Sequence, residues 1–280
     1  MPPSSPRPDR YALVGHPVSH SRSPLIHQLF ARQMGDKLTY ELIDAEPEQF
    51  ETAVLGFAAA GGRGMNVTVP HKETAYELCK THGAEARTAR AVNTITFKGG
   101  KPHGDNTDGT GFIRDLTVNH EREIAAKRVV LLGAGGAARG IVGPILEQQP
   151  EALIVANRTI ERAEELRNDF GSPPQLSICR FDDLEDMGDF DIVINATSAG
   201  LRGEEPPFPD NLVGGATFCY DLAYSLRPTP FMIWAQSRGA GETVQGWGML
   251  VEQAADSHAI WRGRRPDTKP ILSKLTTLTA

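Results

Sequence analysis

One short turn constrains this chain more than anything else in it. Gly133-Ala134-Gly135-Gly136-Ala137-Ala138 directly follows an apolar run, RVVLLG (128–133), and opens a stretch of helical periodicity. It fits G-x-G-x-x-G/A, with Gly133, Gly135 and Ala138 at the three small positions. The first lets the chain turn sharply, the second lets backbone N–H groups approach a pyrophosphate, and the third permits close helix–strand packing. The helix that follows aims the positive end of its dipole at the same point. Strand–turn–helix context distinguishes a dinucleotide site from a Gly-rich βα turn that binds nothing.

The next strand bears on which dinucleotide. A site for NAD usually carries Asp or Glu about 20 residues on, bonded to the ribose 2′-OH. Here ALIVA (152–156) ends in Asn157-Arg158-Thr159, with no acid, and Arg162 follows. Arg158 and Arg162 can form a fork for a 2′-phosphate, with Asn157 and Thr159 adding neutral hydrogen bonds. The plainer reading is a helix capped by Thr159 with Glu161 in its first turn and two solvated arginines. The missing acid and the paired arginines together favour NADP(H).

Around this turn, short apolar runs alternate with helical patterns, which favours mainly parallel sheets. In the first half the strands read as YALVG (11–15), LTYELIDA (38–45), MNVTV (65–69) and AVNTITF (91–97), the last followed by a turn, KGGKPHG. Helices read from Ser23, as N-cap with Pro24 after it, to Gly35, from Glu48 to Ala60, and from Pro70 onward. The second half adds ALIVAN (152–157), SICR (177–180), FDIVINAT (190–197), TFCYDLAY (217–224) and ETVQG (242–246), with helices over 160–170, through Ser237, and over 249–262. GDNTDGTG (104–111) breaks periodicity, so the boundary falls near Asp108. With 280 residues, two domains are the prior expectation. Residues 1–9 read as a disordered Pro/Ser-rich arm.

Composition removes several function classes. There are 29 basic and 35 acidic residues, a net charge of −6, so no basic footprint for nucleic acid. The longest uncharged stretch in an apolar region, 52–62, is about half of a membrane span. The start has no apolar h-region, and the 3 cysteines fit no metal or redox spacing. These features suit a reducing cytoplasm.

Four polar segments in the first half stand where strands meet loops or helices: SHSRSP (19–24), NVTVPHK (66–72), AVNT (91–94) and GDNTDG (104–109). In open α/β sheets, ligands bind at the carboxyl ends of strands. Lys72 sits in the first turn of a helix, where the dipole disfavours a cation. Asp108 supplies a reason for it to be there, as an anion that orients the ammonium. Singly these residues have plain explanations: Ser23 a cap, Asn66 and Asn93 backbone partners, Asp105 and Asp108 turn residues. His16, His20 and His71 lack ligand spacing, so no metal is expected. Together, beside a nicotinamide site, the segments point to a polyhydroxylated or carboxylated substrate.

In order along the chain, SHSRSP, NVTVPHK, AVNT, GDNTDG, GAGGAAR, NRT..RAEEL, NATSAG and GMLVEQAA resemble the shikimate dehydrogenase family over nearly the whole length from Tyr11 to Trp261. The resemblance implies NADPH-dependent reduction of 3-dehydroshikimate to shikimate in aromatic amino-acid biosynthesis. It implies two α/β domains around a cleft, the second a Rossmann-type dinucleotide-binding domain. Residues 1–108 would form the substrate and catalytic domain, 109–246 the NADP-binding domain, and helices in 247–280 would return to the first. By motif, Ser21, Ser23 and Tyr224 would hold the substrate carboxylate. Thr68, Asn93 and Gln253 would bind its hydroxyl and carbonyl oxygens, and Lys72 and Asp108 would be the catalytic pair, Asp108 also touching substrate. Gly133, Ala134, Gly135, Gly136, Ala137, Asn157, Arg158, Thr159, Arg162, Thr197, Leu222 and Gly246 would contact the cofactor.

Two departures from the family pattern are expected at the cleft rim. His71 stands where the family often has Phe, and Gln245-Gly-Trp-Gly where it often has Asp-Gly-Leu-Gly. Two alternatives remain at this stage, a quinate/shikimate dehydrogenase using NAD and a non-catalytic NADP(H)-binding regulator. The regulator would be signalled by loss of Lys72 or Asp108, and both are present. The expected partner is a small-molecule substrate, with no nucleic acid and no membrane, in a monomer or homodimer.

Overall fold

The computed structural model describes residues 8–197 and 207–279. Ser198–Gly200 of the NATSAG motif, and residues 1–7 of the expected arm, lie outside them. Asp9 already belongs to a strand.

The first sheet is built from β1 (Asp9–Gly15), β2 (Leu38–Asp44), β3 (Gly62–Val67), β4 (Thr81–His82), β5 (Thr94–Lys98) and β6 (Lys101–Asp105), in the order β2-β1-β3-β5-β6-β4. As expected the sheet is mainly parallel, with β2, β1 and β3 and the β6–β4 pair all parallel, but it is not wholly so. β5 runs antiparallel to both β3 and β6. The segment expected as a turn contributes only Gly99 and Gly100, both at positive φ, before β6. Gly-Gly with this φ closes a tight hairpin, so Lys101–Asp105 returns along β5. The reversal matters for function. Register pairs Val14 with Val67, Asn66 with Thr94, and Thr94 with Asp105. The carboxyl ends of β1, β3 and β6 and the start of β5 therefore share one edge of the sheet.

Helix starts also shift. α1 (Ser23–Met34) begins at Ser23 with Arg22 at the cap position and no side-chain cap bond, so Ser23 is not the N-cap. Pro24 occupies the first turn, and Gly35 at φ 71° ends the helix as expected. α2 (Phe50–Ala59) follows a 3-10 turn over Pro47–Gln49. α3 (Lys72–Leu78) starts two residues after Pro70, and α4 is Ala84–Ala89. Asn93 lies just before β5 rather than inside a strand. GDNTDGTG is not simply a break, because Asp108 opens α5 (Asp108–Arg114), which passes into a π-helical turn over Asp115–Asn119.

The second sheet contains β7 (Arg128–Leu132), β8 (Ala152–Ala156), β9 (Leu176–Cys179), β10 (Ile192–Asn195), β11 (Phe218–Asp221) and β12 (Glu242–Gln245). Its order is β12-β11-β10-β7-β8-β9 with every pair parallel, the doubly wound dinucleotide-binding arrangement. Its central strands β7, β8 and β10 are nearly continuous apolar runs because helices cover both faces. α6 (Gly136–Glu147) and α7 (Ile160–Asp169) pack with Phe112 of α5 in one core, and α8 (Pro230–Ser237) lies in the core on the other side.

α9 (Trp247–Arg262) and α10 (Lys269–Thr279) leave the second sheet and pack on α1 through Ile26, Phe30, Val251, Ala255 and Ile271. The Trp261 indole donates to Ile95 O, and its ring fills the space beside Gly64, where a Cβ would lie 2.4 Å from it. Periodicity alone gives no packing site for this helix. Among the described residues, no helix is long and apolar enough to cross a membrane.

Candidate active site

The shared edge of the first sheet brings the polar segments together. Lys72 is the first residue of α3 and Asp108 the first residue of α5. Lys72 Nζ lies 2.6 Å from Asp108 Oδ2, with both side chains buried. A helix N-terminus favours the carboxylate and disfavours the ammonium, so the pair offsets what Lys72 alone would cost. The Asn93 amide donates to Asp108 Oδ1 at 2.9 Å. Its own Oδ1 accepts from the Thr107 N–H and the Thr94 hydroxyl, which fixes which way the amide faces. Asn106 Oδ1 accepts from the Asp108 N–H at 3.0 Å.

Gln253 reaches this cluster from α9, its Oε1 3.3 Å from Asn93 Nδ2. Thr68 lies just past β3, half-buried, its methyl against Gly15, where a Cβ would lie 2.3 Å away. Ser21 Oγ donates to Ser23 Oγ at 3.2 Å and accepts the Ser23 N–H. The cap-like bond thus belongs to Ser21. The Tyr224 hydroxyl lies beside Ser21, and burial pushes its pKa up, so it remains a donor. The hydroxyls of Ser21, Ser23 and Tyr224 thus lie side by side, an arrangement that can bind an anion.

Behind them lies a buried network that the sequence does not single out. Tyr40, beside Ser23, donates to Asn66 Oδ1 at 2.8 Å. The Asn66 amide donates to Asn93 O, Thr94 Oγ1 and Ser257 Oγ. Thr107 Oγ1 completes it, 3.2 Å from Ser257 Oγ. Asn66 and Thr107 sit inside the quoted motifs, which is a usable signal. Ser257 and Tyr40 carry none, because only the fold brings α9 and β2 to this point.

Of the two family departures, one falls differently from expectation. His71 is not at a rim. It is buried, stacked on Phe50 with centroids 4.6 Å apart, and bonded through Nε2 to Ala45 O. It replaces a Phe by keeping the stack and adding one bond. Trp247 packs on Tyr224 at 4.7 Å and donates to Ser225 O, while Gln245 Oε1 accepts the Ser225 N–H. Both therefore hold the segment that carries Tyr224. His16 is bonded to Asp44. Among the described residues no cluster of three or more metal-ligating side chains occurs.

The Gly-rich turn abuts the same place. Gly133 has φ 109°, and a Cβ there would lie 3.1 Å from Ala196 O, so only glycine suits it. A Cβ on Gly135 would meet open space, as expected where a ligand approaches. On the inner side, a Cβ on Gly136 would lie 3.0 Å from Lys72 Cβ, and one on Gly140 3.0 Å from Asp108 Cβ. The N-terminus of α6 has no side-chain cap and no acid in its first turn, leaving its N–H groups for an anion. Ala134 and Ala138 are buried in the core beneath, and Ala137 follows Gly136 in the first turn. A dinucleotide pyrophosphate fits this cradle.

Thr197, Leu222 and Gly246 gather at the carboxyl ends of β10, β11 and β12. The Thr197 hydroxyl donates to Asn195 Oδ1, and a Cβ on Gly246 would lie 2.5 Å from Leu222 O. Below them Asp221 is wholly buried, accepting from Asn195, Ala223 and Thr229, and burial pushes its pKa to about 6.

At the adenosine end, Asn157 donates to Thr159 O at 2.7 Å. Thr159 holds the N-cap position of α7 with Glu161 in the first turn, as in the plainer reading, although its hydroxyl makes no cap bond. Arg158, Thr159 and Arg162 are exposed. Arg180 adds a third guanidinium, donating to Arg158 O.

Comparison with known proteins agrees with this geometry. The family models for "Shikimate dehydrogenase substrate binding domain", "Shikimate / quinate 5-dehydrogenase" and "Shikimate 5'-dehydrogenase C-terminal domain" match residues 13–95, 115–202 and 246–275. A shikimate dehydrogenase (NADP(+)) of Alkalilimnicola ehrlichii is 49% identical over 267 residues, 95% of this chain and 98% of the relative. Among solved structures, an Ael1 enzyme from Pseudomonas putida superposes with TM-score 0.86 at 44% identity, covering 95% of this chain and 98% of that one. Shikimate 5-dehydrogenase from Thermus thermophilus, in complex with NADP(H) and shikimate, gives 0.82 at 31% identity over 96% and 99%.

Proposed function

The chain belongs to the shikimate dehydrogenase family, and on that footing we infer that it is the NADP-dependent oxidoreductase that interconverts 3-dehydroshikimate and shikimate in aromatic amino-acid biosynthesis. The observation that carries the mechanism is the buried Lys72–Asp108 pair at 2.6 Å, packed against the first turns of α6. When bound along the Gly-rich turn, NADPH would supply the hydride for the ring ketone carbon.

As charge grows on the former ketone oxygen, the Lys72 ammonium stabilises it and donates a proton. In the reverse direction Lys72 takes the hydroxyl proton. Asp108 orients the ammonium, and Asn93 holds the other carboxylate oxygen. Ser21, Ser23 and Tyr224 bind the ring carboxylate, and Thr68, Asn93, Asp108 and Gln253 bind its oxygen substituents. Gly133 to Ala137 would cradle the pyrophosphate, Thr197, Leu222 and Gly246 would line the nicotinamide side, and Asn157, Arg158, Thr159 and Arg162 would take the adenosine 2′-phosphate.

In this reading residues 1–108 with 247–280 form the substrate domain and 109–246 the cofactor domain. The packing of α9 and α10 on α1, and of α5 in the second core, supports that division. The protein acts on small molecules as a monomer or homodimer in the cytoplasm. Three buried thiols suit a reducing compartment, and burial pushes Cys79 and Cys219 up to about 12.

Purified protein given shikimate and NADP+ should form reduced cofactor, followed by its absorbance. Quinate with NAD+ should give a small fraction of that rate. Equal or faster turnover of quinate with NAD+ would replace this reading by a quinate/shikimate dehydrogenase.

A further inference from the structure

Glu73, the residue after Lys72, stands between two cations that belong to the other sheet. Its Oε1 is 3.5 Å from Arg162 Nη2 on α7, and its Oε2 is 3.8 Å from Arg139 Nε on α6. Neither contact is a hydrogen bond. The Arg139 guanidinium is buried, with Nη1 on Asp169 at 2.6 Å and Nη2 3.4 Å from Glu165. Its Nε is a buried donor without a hydrogen-bond partner. A single carboxylate on the helix of Lys72 is therefore shared, loosely, between an unsatisfied buried donor and an exposed arginine at the adenosine end.

We propose that Glu73 is a specificity-determining residue that competes with the cofactor's 2′-phosphate for Arg162 and so limits the preference for NADP over NAD. The proposal rests on the assignment of Arg162 to that phosphate. The phosphate brings negative charge to the guanidinium that Glu73 already faces, so the two anions repel and cannot both hold Arg162 at full strength. NAD has no such group, and the Glu73–Arg162 pair persists beside it. When NADP is bound, Glu73 keeps Arg139 Nε as its remaining cation, and that donor is free to bond it, having no other partner. Glu73 and Arg162 side chains are 39% and 56% exposed, so the competition is screened and its size is a few fold.

The test is steady-state KM for NADP+ and NAD+ at saturating shikimate in the full-length enzyme, for Glu73→Gln, Arg162→Ala and the double variant. Glu73→Gln keeps the shape and removes the charge. It should lower KM for NADP+ about two- to fivefold at low salt and leave KM for NAD+ unchanged. High salt should erase the gain. In the Arg162→Ala background the Glu73→Gln gain should vanish. If Arg162→Ala raises KM for NADP+ while Glu73→Gln leaves it unchanged or raises it, the competition is refuted and the assignment of Arg162 stands. If Arg162→Ala leaves KM for NADP+ unchanged, the assignment itself fails and the proposal with it. An equal change for both cofactors in Glu73→Gln would mark a structural role only.

Discussion

Lys72 Nζ and Asp108 Oδ2 are 2.6 Å apart although their residues open two different helices. The hairpin of β5 and β6 makes this possible, because it returns the chain to the edge from which α3 departs. Each group then does what the other needs: the carboxylate holds a cation at an unfavourable helix start, and the ammonium partners a buried anion. Asp108→Asn should therefore lower kcat by about 10²–10⁴-fold, as loss of an acid/base unit does. Combined with Lys72→Ala, it should add little, since groups acting as a unit are not additive. Losses that multiply in the double variant would show that the two act separately.

In the proposed function the hydroxyls of Ser21, Ser23 and Tyr224 would make a neutral site for the substrate carboxylate. Each bond to a charged group contributes about 1.5–3 kcal/mol. Ser21→Ala and Ser23→Ala should each raise KM for shikimate about tenfold or more, with a smaller change in kcat. Ser21→Ala also removes the acceptor for the Ser23 N–H, so it should lower thermal stability slightly more than Ser23→Ala. An unchanged KM in both variants would leave the serines with a local structural role.

On the proposed assignment of Asn157, Arg158 and Arg162, cofactor choice would turn on the tip of β8. Asn157 offers no negative charge to a 2′-phosphate, and Arg158 and Arg162 offer charge-assisted bonds. Screening at this open end reduces their strength. The expected preference for NADP over NAD is about 10²-fold in kcat/KM, near 3 kcal/mol. Arg158→Ala should cut NADP efficiency strongly and leave NAD nearly untouched, measured by steady-state kinetics with each cofactor. Equal efficiency of the wild-type enzyme with both at low salt would contradict this.

Acid stability should depend on His27. It is buried and stacked on Tyr40 with centroids 4.3 Å apart, and the His258 ring lies 6.4 Å away. Burial drives its pKa from 6.5 to about 3. Between those values the unfolded chain binds a proton that the native protein does not, so stability is full above 6.5 and falls as pH falls toward 3. By about pH 5 this one group costs about 2 kcal/mol. His27→Phe keeps a ring against Tyr40 and should flatten the loss of urea-unfolding free energy between about pH 7 and 5 by roughly that amount. A wild-type slope retained in the variant would rule out His27 as its source.

Much of this is legible in the residues. The turn at Gly133 points to the second sheet's topology because its small residues leave few ways to pass from β7 to α6. The polar segments point to the site because buried polar groups need partners. Three things are hidden for physical reasons. β6 reads as part of a turn because Lys-Pro-His-Gly-Asp follows Gly99-Gly100 and lacks apolar alternation. Ser23 reads as a cap because Ser-Pro is a common helix start, yet Arg22 takes the cap position and Ser21 the bond. His71 reads as a rim residue because histidine is polar, whereas stacking on Phe50 buries it. The network through Tyr40, Asn66 and Ser257 joins Asn66 to a residue 191 positions away, and only tertiary packing brings them together.

The measurement that bears most directly on the account is kcat for shikimate oxidation by NADP+ in Lys72→Ala, with KM for shikimate determined alongside. The buried pair predicts a fall in kcat of about 10²–10⁴-fold and a much smaller change in KM. A kcat near that of the wild-type enzyme would contradict the assignment of Lys72 as the proton-transferring group.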